Sequence, residues 1–253
     1  MNDLALQLSI GVLIGLSAGY IGSFMVLRRM SLVGDALSHV ALPGIAIALL
    51  FNFNPFLGAF TVLLLAIFLI WLLEKKTELP SETLVGIMFT VSLALGLLIT
   101  PEPELLEALF GDISKVTITD LWITLAVSTA VILIIRKIAD NLMLGIISKE
   151  LAMALKIPVN KLNLIFLFLV AFTVALGIKV AGVMLTGSLV IIPAAAAKNI
   201  SVNLSQYTIW ALVLGGLSSV TGLLLANYFS VSPGPTVILS AGFIFLGTLV
   251  FKR

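Results

Sequence analysis

The sequence predicts an all-α fold, a polytopic transmembrane helical bundle of eight or nine spans. Three observations carry that expectation. Of the 253 residues, 60% are hydrophobic and only 10% are charged, whereas a soluble domain carries about 25% charged residues. Mean hydropathy is +1.24. Apolar runs close to the ~20 residues a helix needs to cross a bilayer recur along the whole chain, with no soluble domain or linker between them.

Nine candidate spans follow in order: 5–27, 31–51, 55–73, 84–100, 118–136, 161–178, 180–198, 207–229 and 235–251. The first has Asp3 and no basic residue before it, and no small-residue cleavage site after it, so it reads as a retained span and not a signal peptide. Gly11, Gly15, Gly19 and Ser23 repeat along it every fourth residue. Such a small-residue ladder lets another helix approach closely, within the bundle or across a dimer. Pro43 and Pro193 interrupt two of the spans, and a re-entrant segment among the short ones would reduce the count to eight.

Basic residues set the orientation. With the N-terminus outside and nine crossings, 12 of the 14 Lys and Arg residues are cytoplasmic, and only Lys115 and Lys179 are external. The outer loop 101–120 holds Glu102, Glu104, Glu107, Asp112 and Asp120 against Lys115, a net charge of −4. It is either a plain solvated loop or a surface that concentrates cations or docks a basic partner. The inner loop 137–160 contains a short helical pattern, with Ser148 as N-cap and Pro158 as stop. Ile147, Leu151, Ala154 and Leu155 make an apolar stripe on it, suited to packing at the membrane interface or to docking a cytoplasmic partner.

The chemistry is sparse. The chain has no cysteine, hence no disulfide or thiolate metal site. A net charge of +2 without a basic stripe gives no reason to expect a nucleic-acid partner. No Gly-Lys pair occurs, so no P-loop for ATP exists, and neither H-E-x-x-H nor a nucleophile elbow is present. We therefore expect no catalytic residue, no bound cofactor and no enzyme activity in this chain. What stands out is Asp35 and the only histidine, His39, four residues apart in the second span. That spacing places both on one helical face. His39 lies about 12 Å along a helix begun at Ser31, near the middle of a ~30 Å core. Intramembrane ionisable residues are costly and usually line a functional path. Carboxylate and imidazole together suit Mn²⁺, Fe²⁺ or Zn²⁺. Two ligands are too few for a tight zinc site, but a symmetric dimer would double them, and a transported ion must also leave. The competing view is a structural pair, His39 bonded to Asp35 to lock two helices.

Four segments resemble the membrane subunits of ABC importers for zinc, manganese or iron. They are MSLVGDALSHVALPG at 30–44, GIISKELAMALKIP at 145–158, GVMLTGSLVIIPAA at 182–195 and SPGPTVIL at 232–239. The resemblance covers nearly the whole chain. It implies a single transmembrane permease domain, 1–253, in the cell membrane, forming a homodimer surrounded by membrane lipid. It also implies a separate cytoplasmic ATPase subunit that binds the ATP, and an extracytoplasmic metal-binding protein that hands over the ion. Asp35 and His39 would then be metal-handling residues. Ser148, Glu150, Leu151, Ala154 and Leu155 would couple to the ATPase, although Lys149 stands where an acidic residue is expected beside Glu150. Two other readings remain: an ion-gradient-coupled metal carrier or channel, and an ABC permease for a metal chelate.

Overall fold

The computed structural model describes residues 3–77, 79–99, 113, 116–183 and 186–251. Among these, the regular elements are all helices: α1 (Asp3–Leu27), α2 (Val33–Val40), α3 (Leu42–Leu50), α4 (Pro55–Thr77), α5 (Ser81–Ile99), α6 (Ile118–Ile147), α7 (Lys149–Ala154), α8 (Val159–Ala181), α9 (Thr186–Ile200), α10 (Leu204–Phe229) and α11 (Pro233–Leu249). Among the described residues, seven stretches are long and apolar enough to cross a membrane: α1, the α2–α3 pair, α4, α5, α6, α8 and α10. The chain is thus a multi-pass membrane protein. Against the eight or nine spans expected, α9 with 15 residues and α11 with 17 fall short of that length.

The central helix is α1, which packs against α10, α9, α6 and α8. Its glycine ladder faces α10 within the same chain. A Cβ added to Gly15 would lie 2.4 Å from the Gly215 carbonyl oxygen, and one added to Gly19 would lie 2.1 Å from that of Ala211. The ladder therefore serves intrachain packing, with two backbones in direct contact. On the other side of the molecule, α2 lies on α5, α9 and α8, while α3 lies on α4 and α5. Phe24, Ile14, Leu37, Ile67 and Phe166 are fully buried where these layers meet.

Pro43 explains why one apolar run becomes two helices. It has no N–H to offer the carbonyl four residues back, that of His39. The chain crosses the gap by tighter bonds, Ala41 N–H donating to the Ser38 carbonyl at 3.2 Å. The break falls directly after the segment that carries Asp35 and His39.

Helix ends depart from the expected boundaries. The span predicted to stop at 136 continues in α6 to Ile147, so 137–147 are helical and not loop. The turn expected at 179 comes at Gly182, whose φ of 75° caps α8. Lys179 is instead in the last turn, where a cation suits the helix dipole, and it pairs with Asp120. Asp120, assigned to the acidic loop, is in the first turn of α6, where it forms a capping box with Thr117. Most of loop 101–120, with Glu102, Glu104, Glu107, Asp112 and Lys115, lies outside the described residues.

At the other end of the bundle, polar groups from three helices converge. The Asn163 side-chain amide on α8 donates to the Glu74 carboxylate on α4 at 2.7 Å and to the Ser81 hydroxyl on α5 at 3.3 Å. The Arg28 guanidinium stands 4.7 Å over the Phe166 ring. Burial pulls its pKa below the usual range, while the nearby Glu74 opposes the shift.

Candidate functional site

Asp35 lies in the first turn of α2 and His39 in its last. Both side chains are half-buried. No hydrogen bond or ion pair joins them, and the His39 Nδ1 is buried without a partner. The His39 ring meets Phe89 of α5 edge-on, with centroids 5.3 Å apart. The lock expected of a structural pair is therefore not made between these two residues.

What fixes α2 is its backbone and its serine. The Ser38 hydroxyl lies 2.7 Å from the Asp35 carbonyl and 2.6 Å from the Val183 carbonyl beyond α8. Gly187 on α9 abuts the backbone of Asp35, so that an added Cβ would come within 2.5 Å of the Asp35 Cα. The third resembling segment, 182–195, thus forms the wall against which the first is seated. The sequence showed both segments but not that they touch.

A cleft of about 250 Å³ opens between α2 and α5, lined by Leu32, Val33, Asp35, Ala36, Glu82, Val85, Gly86 and Phe89. Glu82 was missed from sequence because hydropathy started that span at 84, whereas α5 begins at Ser81. Its signal was an acidic residue in the first helical turn. Among the described residues, no three of His, Cys, Asp and Glu gather closely enough to hold a metal ion. One chain therefore brings Asp35 and His39 to one face without a third such ligand.

The second candidate set surrounds α7. Ser148 caps it as expected, its hydroxyl accepting the Leu151 N–H at 3.1 Å and lying 3.3 Å from the Glu150 carboxylate. The helix ends at Ala154, and Lys156, whose φ is 58°, turns the chain two residues before Pro158. Ala152 is wholly buried and anchors the turn, whereas Ile147, Leu151, Met153 and Leu155 are exposed. The apolar stripe, Ala154 included, is uncovered in the single chain.

Comparison with known proteins gives a consistent picture. The family described as ABC-3, the ABC 3 transport family, matches residues 3–252. The high-affinity zinc uptake system membrane protein ZnuB of Haemophilus influenzae is 33% identical over 252 residues, covering 96% of this chain and 95% of its own. The manganese import system permease protein ScaB of Streptococcus gordonii is 34% identical, covering 93% of this chain and 86% of its own. Among solved structures, PsaBC from Streptococcus pneumoniae in complex with Fab superposes with a TM-score of 0.84 at 31% identity. That match covers 98% of this chain and 91% of the other. An inward-facing metal-chelate type ABC transporter shares the fold, with a TM-score of 0.78 at 19% identity.

Proposed function

Because this chain belongs to the ABC 3 transport family, we propose that it is the permease subunit of an ATP-driven importer for a divalent transition-metal ion. The observation that carries this reading is a carboxylate and an unpaired imidazole on one face of a half-helix broken at Pro43. Relatives named for zinc and for manganese match almost equally, at 33% and 34% identity, and Fe²⁺ stays among the candidate cargoes.

In this reading the chain crosses the membrane nine times, with α9 and α11 as its shortest spans. The polar contacts support the alternation. Asp120 pairs with Lys179, both assigned outside, and Glu74 with Asn163, both assigned to the cytoplasmic ends. Two copies form the path. Each contributes Asp35 and His39, so that the ion meets up to four ligands at the axis. A divalent cation in a low-dielectric passage loses most of its hydration, a cost that rises steeply with charge. The carboxylate offsets charge and the neutral imidazole supplies a lone pair in place of water. The ion is held briefly and released, because neither residue is part of a closed ligand shell.

This chain has no P-loop, so ATP is hydrolysed by a separate cytoplasmic subunit. The α7 stripe, with Ser148, Glu150, Leu151, Ala154 and Leu155, is its docking element, because exposed apolar groups at the end of a bundle gain by being covered. An extracytoplasmic metal-binding protein delivers the ion to the other face. The test is reconstitution of the permease with its ATPase and binding protein in liposomes, with uptake measured element by element. ATP-dependent uptake of zinc or manganese is expected. Uptake that follows an ion gradient without ATP would point to a carrier instead.

A further inference from the structure

A second cleft, of about 270 Å³, opens where the end of α9 turns into the start of α10. Two of its polar residues have unused bonding capacity. Tyr207 is only 5% exposed, the one buried residue of the lining, and its hydroxyl is buried without a hydrogen-bond partner. An unpaired buried hydroxyl is costly, so a group that fills the cleft and bonds to it would remove the cost. Lys198 also lines the cleft, is exposed and, among the described residues, makes no ion pair.

The surroundings give that missing group a negative charge. Lys198 brings a positive charge, and no aspartate or glutamate lines the cleft. Asn203 and Leu204, which do, are the N-cap and first residue of the 26-residue α10. Asn203 accepts the Gln206 N–H at 2.9 Å, whereas the first N–H groups of the helix have no partner within it. Such a terminus carries partial positive charge and suits an anion. The remaining walls are apolar: Leu27 from α1, Met143 from α6, and Val202 and Leu204. A free phosphate gains nothing from them, but a phosphate attached to glycerol and acyl chains does. Arg28 follows Leu27 at this end of the bundle, which is the cytoplasmic end in the nine-crossing reading, and basic clefts between helices there attract anionic lipids.

We infer that this cleft binds the phosphate group of an anionic phospholipid, held by the Lys198 ammonium and the Tyr207 hydroxyl at the start of α10. The lipid joins the α9–α10 turn to α1 and α6. Because α9 also carries Gly187 against the Asp35 backbone, the lipid steadies the helix on which α2 is seated.

The experiment uses the delipidated full-length permease with its ATPase in mixed micelles. Micelles have no sides, so the outcome is independent of the topology. Melting temperature is followed against the mole fraction of phosphatidylglycerol, with phosphatidylcholine and inorganic phosphate as comparisons. Phosphatidylglycerol should stabilise the wild type more than phosphatidylcholine does, and inorganic phosphate should have no effect. Lys198→Gln should raise the half-effective mole fraction at least about fivefold, the attraction of one lysine to an anionic surface. Tyr207→Phe should raise it about tenfold, the loss of a hydrogen bond to a charged group, yet melt no lower than wild type in phosphatidylcholine because only an unpaired hydroxyl is removed. Lys76→Gln, on α4 and outside the cleft, should respond as wild type. Equal stabilisation by both lipids, or a wild-type response in Tyr207→Phe, would overturn the inference. Stabilisation by inorganic phosphate alone would overturn the lipid as the source of the phosphate. An equal loss in Lys76→Gln would reveal diffuse surface charge and no site. Should Lys198→Gln give little protein, the near-isosteric Tyr207→Phe decides alone.

Discussion

The seam between α1 and α10 and the cleft between α2 and α5 are built on opposite principles. In the seam, Gly15 and Gly215 face each other so closely that a Cβ on Gly215 would lie 2.1 Å from the Gly15 carbonyl oxygen. Its hydroxyls are satisfied locally, Ser218 donating to the Leu214 carbonyl at 2.7 Å. The cleft instead keeps about 250 Å³ of open space, two carboxylates and, beside it, an imidazole nitrogen without a partner. Close packing of apolar and backbone groups admits one arrangement. Space and unpaired polar groups admit a ligand. The two regions meet at α9, where the Val190 backbone abuts Gly22 of α1 and Gly187 abuts the Asp35 backbone of α2. The close-packed half thereby sets the position of the half that carries Asp35 and His39.

Breaking the seam should have the largest effect. Gly215→Leu forces a side chain into the Gly15 backbone and should cost about 3 kcal/mol or more, enough to lose most folded protein. Gly242, with nothing within 4 Å of an added Cβ, is the control. Gly242→Ala should stay within about 0.5 kcal/mol of wild type. Yield and monodispersity after detergent extraction would show the difference, and equal yields would remove the contrast between the two regions.

Next in size is the exposed α7 stripe, the proposed docking surface. Leu151→Asp with Leu155→Asp places two charges on the exposed stripe of α7. The permease should insert normally but no longer co-purify with the ATPase. Retained co-purification would mean that the subunits meet elsewhere.

A smaller effect is expected at the polar contact that ties α8 to α4 and α5. Asn163, 5% exposed, donates to Glu74. Asn163→Ala leaves that carboxylate without its amide and should cost about 1–3 kcal/mol. Thermal melting in detergent would measure it, and a melting point unchanged from wild type would show that water replaces the amide at no cost.

The fold class was legible because hydropathy reports membrane burial directly, and Pro43 announced the break beside His39. Helix ends were less legible. Arg29, Asn52, Lys156 and Ser230 all adopt positive φ at helix C-termini without being glycine. At α1, for example, Met30 N–H bonds to the Met25 carbonyl at 2.9 Å, which closes the helix although no glycine marks the stop. The extension of α6 past Arg136 and Lys137 was hidden because hydropathy detects the membrane's edge, not the helix's end. The Asp35 and His39 pair was visible as a local spacing. Glu82, Phe89 and Gly187 join its surroundings only through contacts distant in sequence, which a pattern along one chain does not display.

The central claim, that Asp35 and His39 handle the ion and do not merely hold the bundle, is tested most directly by uptake of Zn²⁺ or Mn²⁺ in the reconstituted complex. Asp35→Asn removes the charge and His39→Leu the nitrogen, each at similar volume. Both variants should fold, bind the ATPase, and lose uptake by at least about tenfold, equivalent to about 1.4 kcal/mol in the rate-limiting barrier. A well-folded double variant that imports either ion at the wild-type rate would contradict it.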